Sequence, residues 1–287
     1  MRSRSRRALA LILALFAAPA TGAELLGRHV WSPEIAEAGG YSALWLGPDG
    51  AEMVVLSDRG GWVRGRLERG PDGAVVDVRI ADRGMLQRST GGPLRGREKD
   101  AESIARVGDA FFVSFEGMSR VMRYPTINAK PEWIPQYESF ATLPDNRGLE
   151  ALAADAEGRL YAVPEWPPGR RETFPVFRFA DRRWSTPFNL SVEDSYMVTG
   201  ADFGPGGRLY VLERKLTISG FRSRVRSFAP DGTDARVELE TRGGVHDNLE
   251  GIAIWRDAAG RLRATMVSDD NQLPWLQTTE FVDYVLD

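Results

Sequence analysis

The 287-residue chain contains no cysteine, only three lysines and only two histidines. Without cysteine there is no disulfide, no thiol nucleophile, no bacterial lipoprotein anchor and no cysteine-based zinc site. Stability must come from packing and strand pairing. The net charge of −3 gives no electrostatic footprint for nucleic acid. After residue 23 no stretch carries a 3.6-residue apolar period, which argues against helical folds. No G-x-S-x-G elbow, H-E-x-x-H pair or phosphate-cradling glycine loop occurs.

The longest apolar run, ALALILALFAA at 8–18, follows four arginines, ends in the small residue Ala18 and precedes the small residues Ala20 and Ala23. It is short for a membrane span. It reads as a secretory signal, 1–23, cleaved after Ala20 or Ala23, with Arg6-Arg7 leaving a twin-arginine route open. Removing it takes away four arginines and no acid, so the net charge falls to −7. The expected product is a periplasmic or secreted single domain, 24–287. It is expected to be monomeric, without a membrane span or nucleic-acid partner.

What the chain does have is a repeated sentence. DAESIARVGDAFFVSFEGMSRVMRY at 100–124 returns as GLEALAADAEGRLYAVPEW from 148, GADFGPGGRLYVLER from 200 and DNLEGIAIWRDAAGRLRATMVSDDN from 247. A degenerate copy, SALWLGPDGAEMVVLSDRGG, starts at 42. A carboxylate opens four units (Glu102, Glu150, Asp202, Glu250), and Ser42 stands in the fifth. A second carboxylate follows in each: Asp58, Glu116, Glu165, Glu213 and Asp269. The unit steps of 60, 48, 52 and 48 residues fall around the blade period of a propeller.

Within each unit, runs such as MVVLS, FFVSF, RLYAV and RLYVL are broken by PDG, PGG and AAG turns, the pattern of strands joined by hairpins. The fold class is therefore all-β, a propeller with five blades, or six if 81–99 hides a strand pair. Fourth strands are expected at 75–80, 137–143, 184–190 and 236–241. The last unit lacks one. ELLGRHVW at 24–31, which carries His29 without functional role, is expected to pair beside EFVDYVL and close the ring by joining the termini.

Antiparallel pairing puts the start of a blade's first strand and the end of its second on one face, so both carboxylate series gather at one channel mouth. Asp100, Asp145, Asn146, Asp247, Asn248, Asp270 and Asn271 add oxygens. Like charges raise one another's pKa, so cations or arginines must compensate. Hard oxygen ligands at this density suit a divalent cation, Ca²⁺ first. Glu102, Glu150, Asp202, Glu250 and Asp269 are the expected ligands. Glu116, Glu213 and His246 are the base candidates. Arg59, Arg214 and Lys215 would balance an anionic substrate. The closer spacing of Asp202 and Glu213 suggests a shorter first hairpin in the fourth unit. Repeated acids can equally cap strands or bind backbone amides.

LSDRGG at 56–61, DAESIA, FEGMSRV, NRGLEALA, AVPEW, GADFGPGGRLYVLER and DNLEGIA resemble the phytase-like family, described as esterase-like activity of phytase. The resemblance spreads over most of 40–286. It implies a propeller that hydrolyses phosphoesters or phosphodiesters through Glu102, Glu116, Glu150, Glu165, Asp202, Glu213, Glu250 and Asp269. Ser42 breaks a complete ring, and the R-H-G-x-R-x-P signature of histidine acid phosphatases is absent. A non-catalytic propeller with structural calcium and a lactonase-type propeller remain open.

Overall fold

The computed structural model of the protein describes residues 22–35, 39–144, 147–170, 172–270 and 277–286. The signal expected at 1–23 lies almost wholly outside them, as do Asp145, Asn146 and Asn271. Among the described residues, no helix is long and apolar enough to cross a membrane.

Five four-stranded antiparallel sheets form the five blades. The first comprises β1's successors in the chain: β1 is Glu24–Val30, and blade one is β2 (Tyr41–Leu46), β3 (Glu52–Ser57), β4 (Gly61–Arg69) and β5 (Val75–Met85). Blade two is β6 (Ala101–Val107), β7 (Ala110–Phe115), β8 (Arg120–Tyr124) and β9 (Glu132–Trp133). Blade three is β10 (Leu149–Ala154), β11 (Leu160–Pro164), β12 (Thr173–Ala180) and β13 (Arg183–Ser191). Blade four is β14 (Met197–Phe203), β15 (Leu209–Thr217), β16 (Gly220–Phe228) and β17 (Arg236–Glu240). Blade five is β18 (Asn248–Arg256), β19 (Leu262–Asp269) and β20 (Glu280–Leu286), completed by β1.

The apolar runs are explained by two-sided burial. Alternation along β3 sends Met53 and Val55 into one apolar cluster and Val54 and Leu56 into the next. Each of the five interfaces between neighbouring blades holds one such cluster. The segment 81–99 finishes β5 and then makes a 3₁₀ turn at Gly96–Glu98, so no sixth blade is hidden there. The stretch at 137–143 is not a strand but a 3₁₀ helix, Glu138–Thr142. Pro131 and Pro135, each without an N–H, flank the two-residue β9. Phe140 then plugs the blade end against Phe177 and Trp184, ring centroids 5.4 and 5.0 Å away.

Ring closure follows the expected pairing of the termini: Glu24 pairs with Val285 and Val30 with Glu280. Most β1 side chains keep solvent exposure. Its contribution is therefore edge hydrogen bonding more than burial. Deleting 24–30 should cost on the order of 2–4 kcal/mol, since each exposed ladder bond is worth about 1 kcal/mol. It should also leave β20 as an open edge prone to association. Urea unfolding and light scattering would read this, and a deletion variant that unfolds like the parent and stays monodisperse would contradict it.

Candidate functional site at the acidic mouth

One irregularity recurs in every blade. The pairing of the two inner strands slips by one residue at Ser42, Glu102, Glu150, Thr199 and Glu250. A bulge leaves its extra residue unpaired and re-aims its side chain. Three of these five residues are glutamates, and all three line a cavity of about 240 Å³ at the channel mouth. The ends of the second strands supply Asp58, Glu116, Glu165 and Asp269 to the same cavity, and Asp100 and Arg214 complete its lining. Gly40, at φ +67°, lets Asp58 sit close: a Cβ there would lie 2.4 Å from Asp58 Oδ1.

The bulge register corrects the reading of blade four. Thr199, not Asp202, is the counterpart of the three glutamates. Val198 pairs with Glu213 as Leu149 pairs with Pro164, so Arg214 occupies the position of Glu165. Thr199 and Arg214 have the same separation as Glu150 and Glu165. The hairpin is not shorter; Asp202 and Glu213 are out of phase with the acids of the other blades. The signal was present in the sequence, since VTGADF aligns with LEGIAI when TG is set against EG.

Ser42 and Thr199 share a different task. Ser42 Oγ donates to Ala101 O at 2.5 Å, and Thr199 Oγ1 donates to Leu249 O at 3.1 Å. Each hydroxyl ties its blade to the residue just before the next blade's glutamate. Short hydroxyls at these two bulges therefore join blades, while carboxylates at the other three face the channel.

The electrostatics of the mouth are lopsided. Burial is the largest cause that pushes Glu102 and Glu150 well above the ordinary glutamate range, and neighbouring carboxylates add to it. Burial likewise lifts Glu116 to about 7, Asp100 nearby compounding the effect although Gly148 N–H donates to Glu116 Oε1 at 3.1 Å. Asp58 and Asp100 are also raised, chiefly by burial. Glu250 is raised less because Arg214 opposes its burial. The Arg214 guanidinium donates to Glu250 Oε1, to Asn248 Oδ1 at 2.5 Å and to Glu165 Oε1 at 3.2 Å. Asn248 Nδ2 donates to Glu250 Oε1 at 2.9 Å. One side of the mouth is thus neutralised internally. On the other side Glu102, Glu116 and Glu150 have no such guanidinium partner among the described residues.

On that side the oxygens approach closely enough to share a cation in two overlapping groups, Asp100–Glu102–Glu116 and Glu116–Glu150–Glu165. An all-carboxylate donor set fits a hard divalent ion such as Ca²⁺ and suits softer metals poorly. Of the five expected ligands, Glu102, Glu150, Glu250 and Asp269 meet at the mouth, and Asp202 lies at the channel's other end.

The remaining candidates separate. Glu116 and Arg214 line the mouth. Glu213 is fully buried inside blade four, clamped by Arg224 Nε at 2.7 Å and Arg226 Nη2 at 2.5 Å. His246 is buried under blade five, with Nε2 2.7 Å from the Tyr284 hydroxyl, beside a different cavity. Arg59 is exposed near Asp58 at 3.8 Å and lines a side cavity with Trp31 and Asp270. Lys215 points its ammonium toward the Tyr196 ring, 5.9 Å from the centroid.

The sequence matches the family named Phytase-like, described as esterase-like activity of phytase, over residues 36–272. No curated protein matches. Among solved structures, an endo-arabinase from Bacteroides thetaiotaomicron is 10% identical with a TM-score of 0.51, covering 86% of this chain and 93% of that one. A luciferin-regenerating enzyme is 12% identical with a TM-score of 0.48, covering 91% and 96%. U3-55K is 11% identical with a TM-score of 0.45, covering 86% of this chain, which spans 62% of that one. At 10% identity the likeness to the endo-arabinase concerns the fold alone.

Proposed function

The chain belongs to the Phytase-like family, and from that premise we propose that it is an exported hydrolase of anionic phosphoesters or esters working at the acidic mouth. The observation that carries this reading is the convergence of eight carboxylates and a single arginine on one cavity. Asp100, Glu102, Glu116, Glu150 and Glu165 would hold a divalent cation, calcium by donor chemistry. When bound, that cation supplies charge for a phosphoryl or carbonyl oxygen and lowers the pKa of a bound water.

The residues divide the remaining work. Arg214 is held by Glu165 and Glu250 and cannot swing away, so it offers a fixed positive edge to an anionic substrate. Asp58 and Asp269 stand outside the two cation groups, as the carboxylates placed to accept a proton from an attacking water. Glu250 and Asn248 orient the guanidinium.

The test uses purified protein with calcium or with chelator on phosphomonoester, phosphodiester, linear ester and lactone substrates. Calcium-dependent turnover of one class is expected. Glu150→Gln should abolish it by weakening cation binding, and Arg214→Met should raise KM most for anionic substrates. If calcium stabilises the protein, Glu150→Gln removes that stabilisation and no substrate turns over, the mouth is a structural cation site in a binding propeller. Saturation at a hundredfold over Kd would appear as about 2.7 kcal/mol of added stability.

A further inference from the structure

The opposite end of the channel holds a larger cavity, about 680 Å³ against about 240 Å³ at the acidic mouth. The later residues of the inner strands form it, together with the turns that follow them. Its walls are about half apolar, with Ile104, Ile252, Trp45 and Phe203 supplying that part. Trp45 and Phe203 are only partly buried, so aromatic surface remains open to the cavity. The volume lies within the roughly 300–1,000 Å³ typical of small-molecule sites.

Three charged side chains line it: Arg106, Asp202 and Arg256. The arginines are committed at the rim. Arg106 stacks over Trp45 at 4.8 Å and donates to Gly108 O at 3.0 Å, and Arg256 donates to Gly260 O at 2.8 Å. Asp202 sits deeper. One of its oxygens accepts Phe203 N–H at 2.8 Å and the other accepts Ile254 N–H at 2.7 Å from the next blade. A carboxylate has about four lone-pair sites, so both oxygens keep acceptor capacity toward the cavity.

We propose that this mouth is a second binding site, independent of the acidic one, for a small organic cation: an apolar or aromatic body carrying an ammonium that pairs with Asp202. Arg256 is exposed and screened and Arg106 is turned onto Trp45 and Gly108 O, so the partly buried Asp202 is the charge an incoming cation would meet. Burial pushes Asp202 up to about 7 even though the two backbone N–H groups oppose it. An incoming ammonium would offset that penalty. This site does not depend on hydrolysis at the other mouth, and either can fail alone.

The test pairs naphthylmethylamine with naphthoate, which share a ring system and differ in charge. Saturating calcium occupies the acidic mouth, and titration calorimetry and tryptophan fluorescence follow binding. The amine should bind about tenfold tighter than the acid, the scale of one partly desolvated ion pair. Asp202→Asn should bring the two affinities together, and Ala154→Phe, which fills the cavity without removing a polar group, should weaken both. Equal or tighter binding of naphthoate, no binding of either probe, or binding untouched by Ala154→Phe would overturn the proposal. If Asp202→Asn fails to fold, the parent's amine-to-acid ratio and the Ala154→Phe result decide it.

Discussion

Replacing Glu213 by alanine should lower the free energy of unfolding by about 3–5 kcal/mol, the scale for removing one partner of a buried ion pair. Glu213 has no exposed side-chain surface, and Arg224 and Arg226 are 3% and 1% exposed. Its two oxygens receive the Nε groups of both arginines, and Arg226 Nη2 adds a further bond. Glu193 also pairs with both guanidiniums, at 3.5 and 3.0 Å, but 44% of its side chain is exposed. It cannot neutralise two buried cations alone. Glu213→Gln keeps the volume and loses the charge, so it should be nearly as damaging. Urea unfolding at neutral pH reads both variants. A loss below about 1 kcal/mol, the scale of an exposed pair, would mean that the cluster is solvated. A Glu213→Gln protein that keeps its stability but loses turnover would return Glu213 to the list of bases.

The same glutamate shows where the sequence was legible and where it was not. Blade number, strand order and ring closure follow from turn residues and apolar runs, because these are local signals repeated five times. The phase of one degenerate copy does not. In blade four Asp202 fits the step between units but stands closer to Glu213 than the paired acids of the other units do, and a formal charge count cannot tell a channel-facing carboxylate from one turned into the blade. The deciding fact is the bulge, a one-residue slip in pairing with Tyr41, Ala101, Leu149, Val198 and Leu249 as its common anchor. Side chains alternate between faces along a strand, so an error of one residue sends a carboxylate to the wrong face. Asp202, three residues on from Thr199, ends in the other mouth altogether.

His246 stands apart from the mouth for another reason. Its neighbours in sequence, Asn248 and Glu250, do reach the acidic mouth. The histidine precedes β18 and turns back over β20, where Tyr284 takes its Nε2 and Glu280 lies 3.5 Å from Nδ1. Proximity along the chain did not survive the turn into the strand. Asp100 is the converse case. It enters the cation group with Glu102 and Glu116 because β6 begins right after it, and the end of β7 brings Glu116 alongside.

The unbalanced half of the mouth makes the second large prediction, a stability that falls as pH rises unless calcium is present. In the cation-free folded protein Glu116 keeps its proton up to about 7, and Glu102 and Glu150 are raised well above their ordinary value of 4.5. In the unfolded chain all three titrate near that ordinary value. Between about 4.5 and 7 the folded state therefore binds more protons than the unfolded state, and stability declines with pH through this window. Above about 7 Glu116 no longer adds to the decline, whereas Glu102 and Glu150 add to it until they ionise. Acids with lowered values, such as Asp49 and Asp257, act in the opposite sense only below the ordinary carboxylate range. Asp202, lifted to about 7, adds to the decline but lies away from the cation groups. Calcium binds ionised carboxylates, so its stabilisation should grow over the same interval and cancel most of the slope. Thermal unfolding at stepped pH, with chelator and with calcium, reads both effects. Glu116→Gln should flatten part of the chelator curve and reduce the calcium gain, whereas Asp202→Asn should flatten it without changing the calcium gain. A chelator curve that stays level or rises between pH 5 and 7, or a calcium gain equal at both ends, would show that the mouth carries its acids already compensated.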